Sequence, residues 1–161
     1  MFGVQGELFH IGIRVSDVAA ALAEMTESHG ISFTSIRTTP MRCWLPAEGH
    51  VTKGVELAFS CEGPVHLEVM SGPAGSLWDG RDIPGPHHLG YWVDDVGGET
   101  ERLLGLGWKL ELAATSPEDG YGRFTYLRSP FGELVEPVSS SSRDRFQVWW
   151  DGGELLPSVV A

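Results

Sequence analysis

His10 opens the stretch HIGIRVSDV and His88 opens HLGYWVDDV, two nine-residue segments held at a constant offset of 78 residues, from 10 to 88 for the histidines and from 17 to 95 for the aspartates. Histidine titrates near neutral pH and is the commonest protein ligand of metal ions. Carboxylates stand at the far ends of the same two units, Glu68 in VHLEVM and Glu136 in ELVEPV. Two imidazoles and two carboxylates make a borderline-to-hard donor set that suits Zn²⁺, Ni²⁺, Co²⁺, Mn²⁺ or Fe²⁺. An ion so held with two adjacent positions open can chelate vicinal oxygens, polarise a carbonyl and acidify the neighbouring C–H. A carboxylate close by can then carry the proton.

Such residues act together only if the chain brings them together, and a repeat is the simplest way to do so. Each copy begins with an alternating stretch, Leu8 to Val15 and His88 to Val93, whose period of two reads as a strand. By parity Phe9, Ile11, Ile13 and Val15 share one face of the first strand and His10, Gly12 and Arg14 the other. A helix follows each time. Asp17 and Asp95 offer N-caps, and Gly30 and Gly107 offer stops. Gly97, Gly98 and Gly105 weaken the second helix intrinsically, so packing must hold it. Three more strands follow each helix: Ile31 to Arg37 or beyond, Gly54 to Ser60 and Val65 to Met70, then Lys109 to Ala113, Arg123 to Leu127 and Leu134 to Val138. Each module is strand, helix, strand, strand, strand, spanning residues 7–70 and 87–138.

If the apolar faces of the strands lie under the helices, the opposite faces look into a shared concavity. That assignment puts His10, Glu56, His66, Glu68, His88 and Glu136 on the cup side. Each has a plainer reading: a strand histidine is often a hydrogen-bonded structural residue, and a strand glutamate is often solvated. His29 and His50 fall in that class, as does His87, which parity turns away from His88. The set of four reads differently, because unpaired carboxylates facing one concavity repel unless a cation or proton lies between them. At this level the cluster is either a cation site or a group of separately satisfied polar residues.

A chain of 161 residues with 42% hydrophobic content suits one domain or two small ones packed closely. Its net charge of −11, with only 11 Lys and Arg, argues against nucleic acid or an anionic membrane as partner. Cys43 and Cys61 show no CxxC spacing, and neither a leader nor an apolar run of the ~18 residues needed to span a bilayer stands out. A soluble, cytoplasmic protein is expected. Residues 146–161, with Phe146, Trp149 and Trp150, are too aromatic for a purely disordered terminus and are expected to pack on the body, residues 1–145.

Paired modules opened by HIGIRVSDV and HHLGYWVDD and closed by HLEV and GELVEPV resemble the vicinal oxygen chelate superfamily, which includes glyoxalase I, methylmalonyl-CoA epimerase, extradiol dioxygenases and bleomycin-resistance proteins. The resemblance covers about residues 7 to 138. It implies an α+β fold in which two βαβββ modules form an eight-stranded, incompletely closed barrel with helices outside. Carried over by motif, the family's metal ligands fall on His10, Glu68, His88 and Glu136, the four that parity selects. The resemblance implies a divalent metal cofactor of undetermined identity and a metal-dependent isomerase or lyase, glyoxalase- or epimerase-like, that moves an α proton of a small carbonyl substrate. Glu136, loosening from the ion, or Glu56 would be the catalytic base, Glu56 on parity alone. Two other readings stand beside it. His10, His88 and Glu136 alone would make the two-histidine, one-carboxylate site of a non-haem iron dioxygenase, against which a bound Glu68 argues. A protein that only sequesters a small molecule would not need all four ligands. Met41, Trp44, Met70, Trp92 and Tyr126 favour a fairly apolar substrate, and exposed strand edges favour a homodimer.

Overall fold

In the computed structural model, which describes residues 3–156, eight strands and three α-helices follow one another in the expected modular order. The first module is β1 (Glu7–Arg14), α1 (Val18–His29), β2 (Arg37–Leu45), β3 (Gly49–Phe59) and β4 (His66–Ser71). The second is β5 (Gly85–Val93), α2 (Val96–Gly105), β6 (Lys109–Ala113), β7 (Thr125–Arg128) and β8 (Leu134–Ser139), followed by α3 (Arg143–Trp150). The helices begin where the sequence places their caps. The Asp17 carboxylate accepts the Ala20 N–H at 3.0 Å, and that of Asp95 accepts the Gly98 N–H at 2.9 Å. Gly30 ends α1 at φ 70°, a left-handed conformation that costs glycine little.

The strands form a single closed ring in the order β1-β4-β3-β2-β6-β7-β8-β5. Within each module the first and last strands pair in parallel, β1 with β4 and β5 with β8, and the modules meet where β1 runs antiparallel to β5. The second junction is slight: β2 and β6 share one pair, Trp44 with Ala113. The ring is therefore closed where the sequence reading expects an incomplete barrel, and the exposed-edge argument for a homodimer loses its ground. The helices lie outside, α1 against β4 and β3, α2 against β7 and β8. Beneath α2, Val96 and Leu103 pack with Tyr91, Val93, Leu127 and Val135. This burial holds a helix that its glycines weaken.

Two boundaries differ from the sequence reading. The hairpin of β2 and β3 is longer than expected and pairs from Arg37–Leu57 to Leu45–Gly49, with Gly49 at φ 75° closing the turn. Its distal arm alternates partly buried residues with the exposed Arg42, His50 and Thr52, so it lacks the apolar run that marks a buried strand. Conversely, the segment from Ile31 to Ile36 contributes only a bridge from Phe33 to Ser60. At the other end, α3 buries Trp149 and Trp150, and the Trp150 ring stacks on His66 at 3.7 Å. Residues 157–161 of the expected tail lie outside the described residues. No helix among the described residues is long and apolar enough to cross a membrane.

Candidate metal centre

Both histidines enter the barrel beside a β-bulge, and the bulges repeat with the modules. Along the β1–β5 ladder, Leu8 pairs with Tyr91 and His10 with Gly90, which leaves Phe9 as an extra residue. Further along, Gly12 pairs with His88 and Ile13 with Pro86, which leaves His87 as another. A bulge breaks the alternation of side chains, so consecutive residues can point to one side. Phe9 accordingly lines the interior beside His10 and stacks on Trp92 at 3.6 Å, and not on the outer face with Ile11. His87, which parity turns away, instead brings its Nδ1 to 3.0 Å from Nδ1 of His88. Burial, then the positive charges of His88 and Arg14, push its pKa down to about 3, so His87 stays neutral.

Each module also leaves a space for the other's histidine. A Cβ at Gly90 would stand 1.9 Å from Cε1 of His10, and a Cβ at Gly12 would stand 2.2 Å from Cε1 of His88. Gly12 and Gly90 carry the same offset of 78. The HxG pattern is thus reciprocal: the histidine of one strand occupies the hollow made by the glycine of its partner.

The two Nε2 atoms come within 2.7 Å of each other. Glu136 lies 3.1 Å from His10 and 3.2 Å from His88, and Glu68 lies 3.4 Å and 3.3 Å from the same atoms. Both imidazoles are buried, and each glutamate side chain retains 12% exposure toward the cavity. Burial opposes charge on all four groups, but their mutual contacts prevail. Glu136 and Glu68 raise His10 and take His88 up to about 9, while both carboxylates are held below the usual carboxylate range by the two histidines.

The residues present fit a metal ion. Donors ~2.1 Å from a common centre are roughly 3.0 Å apart at right angles and 3.4 Å apart in a tetrahedron, and the histidine–histidine and histidine–glutamate separations fall close to those edges. All four ligand atoms lie within 4.8 Å of one another. Oε2 of Glu68 is buried with no hydrogen bond, an acceptor that a cation would satisfy.

Tyr126 completes the floor. Its buried phenol accepts a hydrogen bond from Trp78 Nε1 at 3.3 Å and is hydrogen-bonded to Glu136; burial and the charges of Glu136 and Glu68 raise its pKa well above the ordinary value. The sequence reading counts Tyr126 only as part of an apolar lining, yet its place on β7 next to β8 was the available signal. Glu56 is elsewhere. It is exposed and pairs with Ser71, whereas Leu57 faces Met70 and Phe59 faces Glu68. Directly paired residues share a face, so the apolar residues of β3 line the cup and Glu56 points outward, which corrects its expected orientation. His66 shares the β4 parity of Glu68 but is held by Ser60 O at 2.8 Å and covered by Trp150.

Above the cluster lies a cavity of about 320 Å³, walled by Met41, Leu57, Phe59, Met70 and Phe124 and bordered by α3. Four donors that could hold an ion thus meet at the floor of the barrel, two from each module. Residues 9–126 match the Glyoxalase/Bleomycin resistance protein/Dioxygenase superfamily, and the chain belongs to that superfamily.

Among solved structures, the chain is similar to a variant methylmalonyl-CoA epimerase from Streptomyces coelicolor in complex with 2-nitronate-propionyl-CoA, at 18% identity and a TM-score of 0.60, over 85% of this chain and 96% of that one. A hypothetical protein from Bacillus halodurans C-125 is similar at 19% identity and a TM-score of 0.59, over 84% and 95%. A mutant 4-hydroxymandelate synthase from Streptomyces coelicolor aligns at 14% identity and a TM-score of 0.57, over 83% of this chain and 48% of that one. These likenesses establish the fold. No curated protein sequence matches.

Proposed function

We propose that the chain is a metal-dependent isomerase or lyase, glyoxalase- or epimerase-like, acting on a small carbonyl compound with vicinal oxygens. The observation that carries this reading is the convergence of His10, Glu68, His88 and Glu136, two from each module, on one point at the floor of an apolar cavity. A divalent ion held there supplies Lewis acidity to the substrate's oxygens. The chain's residues do the rest. Glu68 and Glu136 are the carboxylates that line the cavity, and Glu136, beside Tyr126, is the base that takes the α proton. The Tyr126 phenol stays protonated and its one O–H donates to Glu136, which orients that carboxylate toward the substrate. Phe59, Met70 and Trp149 keep bulk water from the reacting carbon.

A fourth protein donor leaves fewer open positions than oxygen activation uses, which favours proton transfer over the dioxygenase reading. Untagged protein is expected to retain about one divalent ion per chain, and to incorporate solvent deuterium α to the carbonyl of a turned-over substrate without O₂. Oxygen uptake coupled to C–C cleavage would reverse that order. Tight ligand binding by the metal-free protein, with no exchange under any metal, would make it a sequestration protein.

The proton held between the histidines and carboxylates has a further consequence. A histidine whose folded-state pKa lies above its ordinary value stabilises the fold fully below that ordinary value, 6.5 for His88, and loses the contribution as pH rises through about 9. Metal-free protein should therefore melt at progressively lower temperature from pH 6.5 to 9. Over the same window Zn²⁺ should bind more tightly and release fewer protons, because the ion displaces protons from the imidazoles. Titration calorimetry in buffers of different ionisation enthalpy measures this. A flat pH dependence would mean that His88 carries no extra proton in the metal-free protein.

A further inference from the structure

We propose that the cavity takes a small carboxylate whose anionic end is held by Arg37 and Arg145. The inference rests on the reading above, since the other end of the molecule would present its vicinal oxygens to the four donors.

The distribution of charge carries the argument. The chain has 11 Lys and Arg against 22 Asp and Glu, yet four arginines, Arg37, Arg42, Arg123 and Arg145, line this one cavity, whose lining carboxylates are the two at its floor. Arg37 donates from Nε to Thr39 Oγ1 at 3.2 Å and from Nη1 to Leu155 O at 2.8 Å, and Arg145 donates from Nη1 to Leu156 O at 3.0 Å. These partners are neutral. They orient the guanidinium groups without cancelling their charge, and each retains further N–H donors. Among the described residues neither Arg37 nor Arg145 is in an ion pair. Arg37, Arg123 and Arg145 line the same cavity, and burial and repulsion from Arg123 and Arg37 hold Arg145 below the usual arginine value. A cleft lined by one sign of charge concentrates the opposite charge, and a fixed guanidinium fork matches a planar carboxylate.

The geometry sets the rest of the ligand. Arg37 pairs with Leu57, which pairs with Met70, whereas Glu68 pairs with Phe59. The arginine thus lies two strands and two residues from the ligand row, on the order of 10 Å along the sheet. Apolar side chains wall the space between. A cavity of about 320 Å³ is at the small end of ligand sites, so it suits one ring or a short branched chain and does not enclose a nucleotide-bearing thioester. Arg145 comes from α3, beyond the residues 9–126 that match the superfamily.

The test uses full-length protein, loaded with Zn²⁺ or chelator-treated, and two probes that differ only at the far end: 4-(hydroxyacetyl)benzoate and 4-(hydroxyacetyl)benzamide. Calorimetry is expected to show the acid binding roughly tenfold or more tighter than the amide. Arg37→Gln and Arg145→Gln should each remove most of that preference by weakening the acid far more than the amide, with an unchanged thermal midpoint reporting an intact fold. Arg37→Lys and Arg145→Lys, which keep charge and lose the fork, should retain part of it. Equal affinity for acid and amide, a preference that survives both glutamine substitutions, or no binding of the acid at millimolar concentration would overturn the proposal. So would coenzyme A displacing the acid in an Arg37-dependent manner, since the bound anion would then be a phosphate. An acid preference that persists with no effect of Zn²⁺ on either probe sinks the metal reading and leaves this one standing. Zn²⁺-dependent binding of both probes with no acid preference does the reverse.

Discussion

Gly90→Ala is expected to strip the protein of divalent metal while the barrel still folds. The added methyl carbon would stand 1.9 Å from Cε1 of His10, well inside any allowed contact, and the opposing atom belongs to a ring with little room to retreat. His10 is buried between Phe9, whose ring centre is 4.3 Å away, and Phe59 at 5.5 Å. Forcing a methyl group into such a space costs about 1–3 kcal/mol in strain. The imidazole must swing out of line with His88, and disturbed metal sites lose ~10- to 100-fold in affinity even when the displaced group only supports a ligand. Gly12→Ala should do the same to His88, where the contact is 2.2 Å. Gly54→Ala is the control: it lies on β3 in the same barrel, and its Cβ would meet nothing within 4 Å. Metal content after gel filtration, read beside the thermal midpoint, separates loss of the site from loss of the fold. Full zinc occupancy in Gly90→Ala would remove His10 from the ligand set.

The same glycines show how much of the site was legible in the sequence. A 78-residue offset exposes the two modules and the equivalence of His10 with His88, and alternation along β4 turns Glu68 toward the interior. What alternation cannot show is a bulge. Phe9 and His87 each insert one residue opposite the partner strand, so the faces assigned to them by counting are the wrong ones. Glu56 failed for a different reason. Counting sorts β3 into two faces, and choosing which one looks inward requires knowing whether the concavity is polar or apolar. The cup is itself part of the core, so Val55, Leu57 and Phe59 turn into it and the carboxylate turns out. The closure of the ring through one residue pair, Trp44 with Ala113, and the arginine from α3 depend on contacts between distant segments, which no local pattern encodes.

Glu136→Gln should separate the two roles proposed for Glu136, base and ligand. The amide keeps an oxygen that can face an ion but cannot accept a proton at neutral pH, so α-deuterium exchange is expected to fall by roughly 10²- to 10⁴-fold, the usual contribution of a positioned general base. Metal retention should fall far less. Tyr126→Phe should leave metal content intact and slow exchange more modestly, because it removes the hydrogen bond that orients Glu136 and not the proton acceptor itself. Glu68→Ala should behave in the opposite sense to Glu136→Gln, losing metal affinity first and activity as a consequence, with part of the activity restored by excess ion. Glu56→Ala should change neither, since its side chain is exposed on the outer face. Exchange that survives Glu136→Gln but disappears in Glu56→Ala would require a different base and a different orientation of β3. Oxygen consumption that persists or rises in Glu68→Ala would show that three ligands suffice, which is the behaviour of an oxygen-activating iron site and not of a proton-transfer centre.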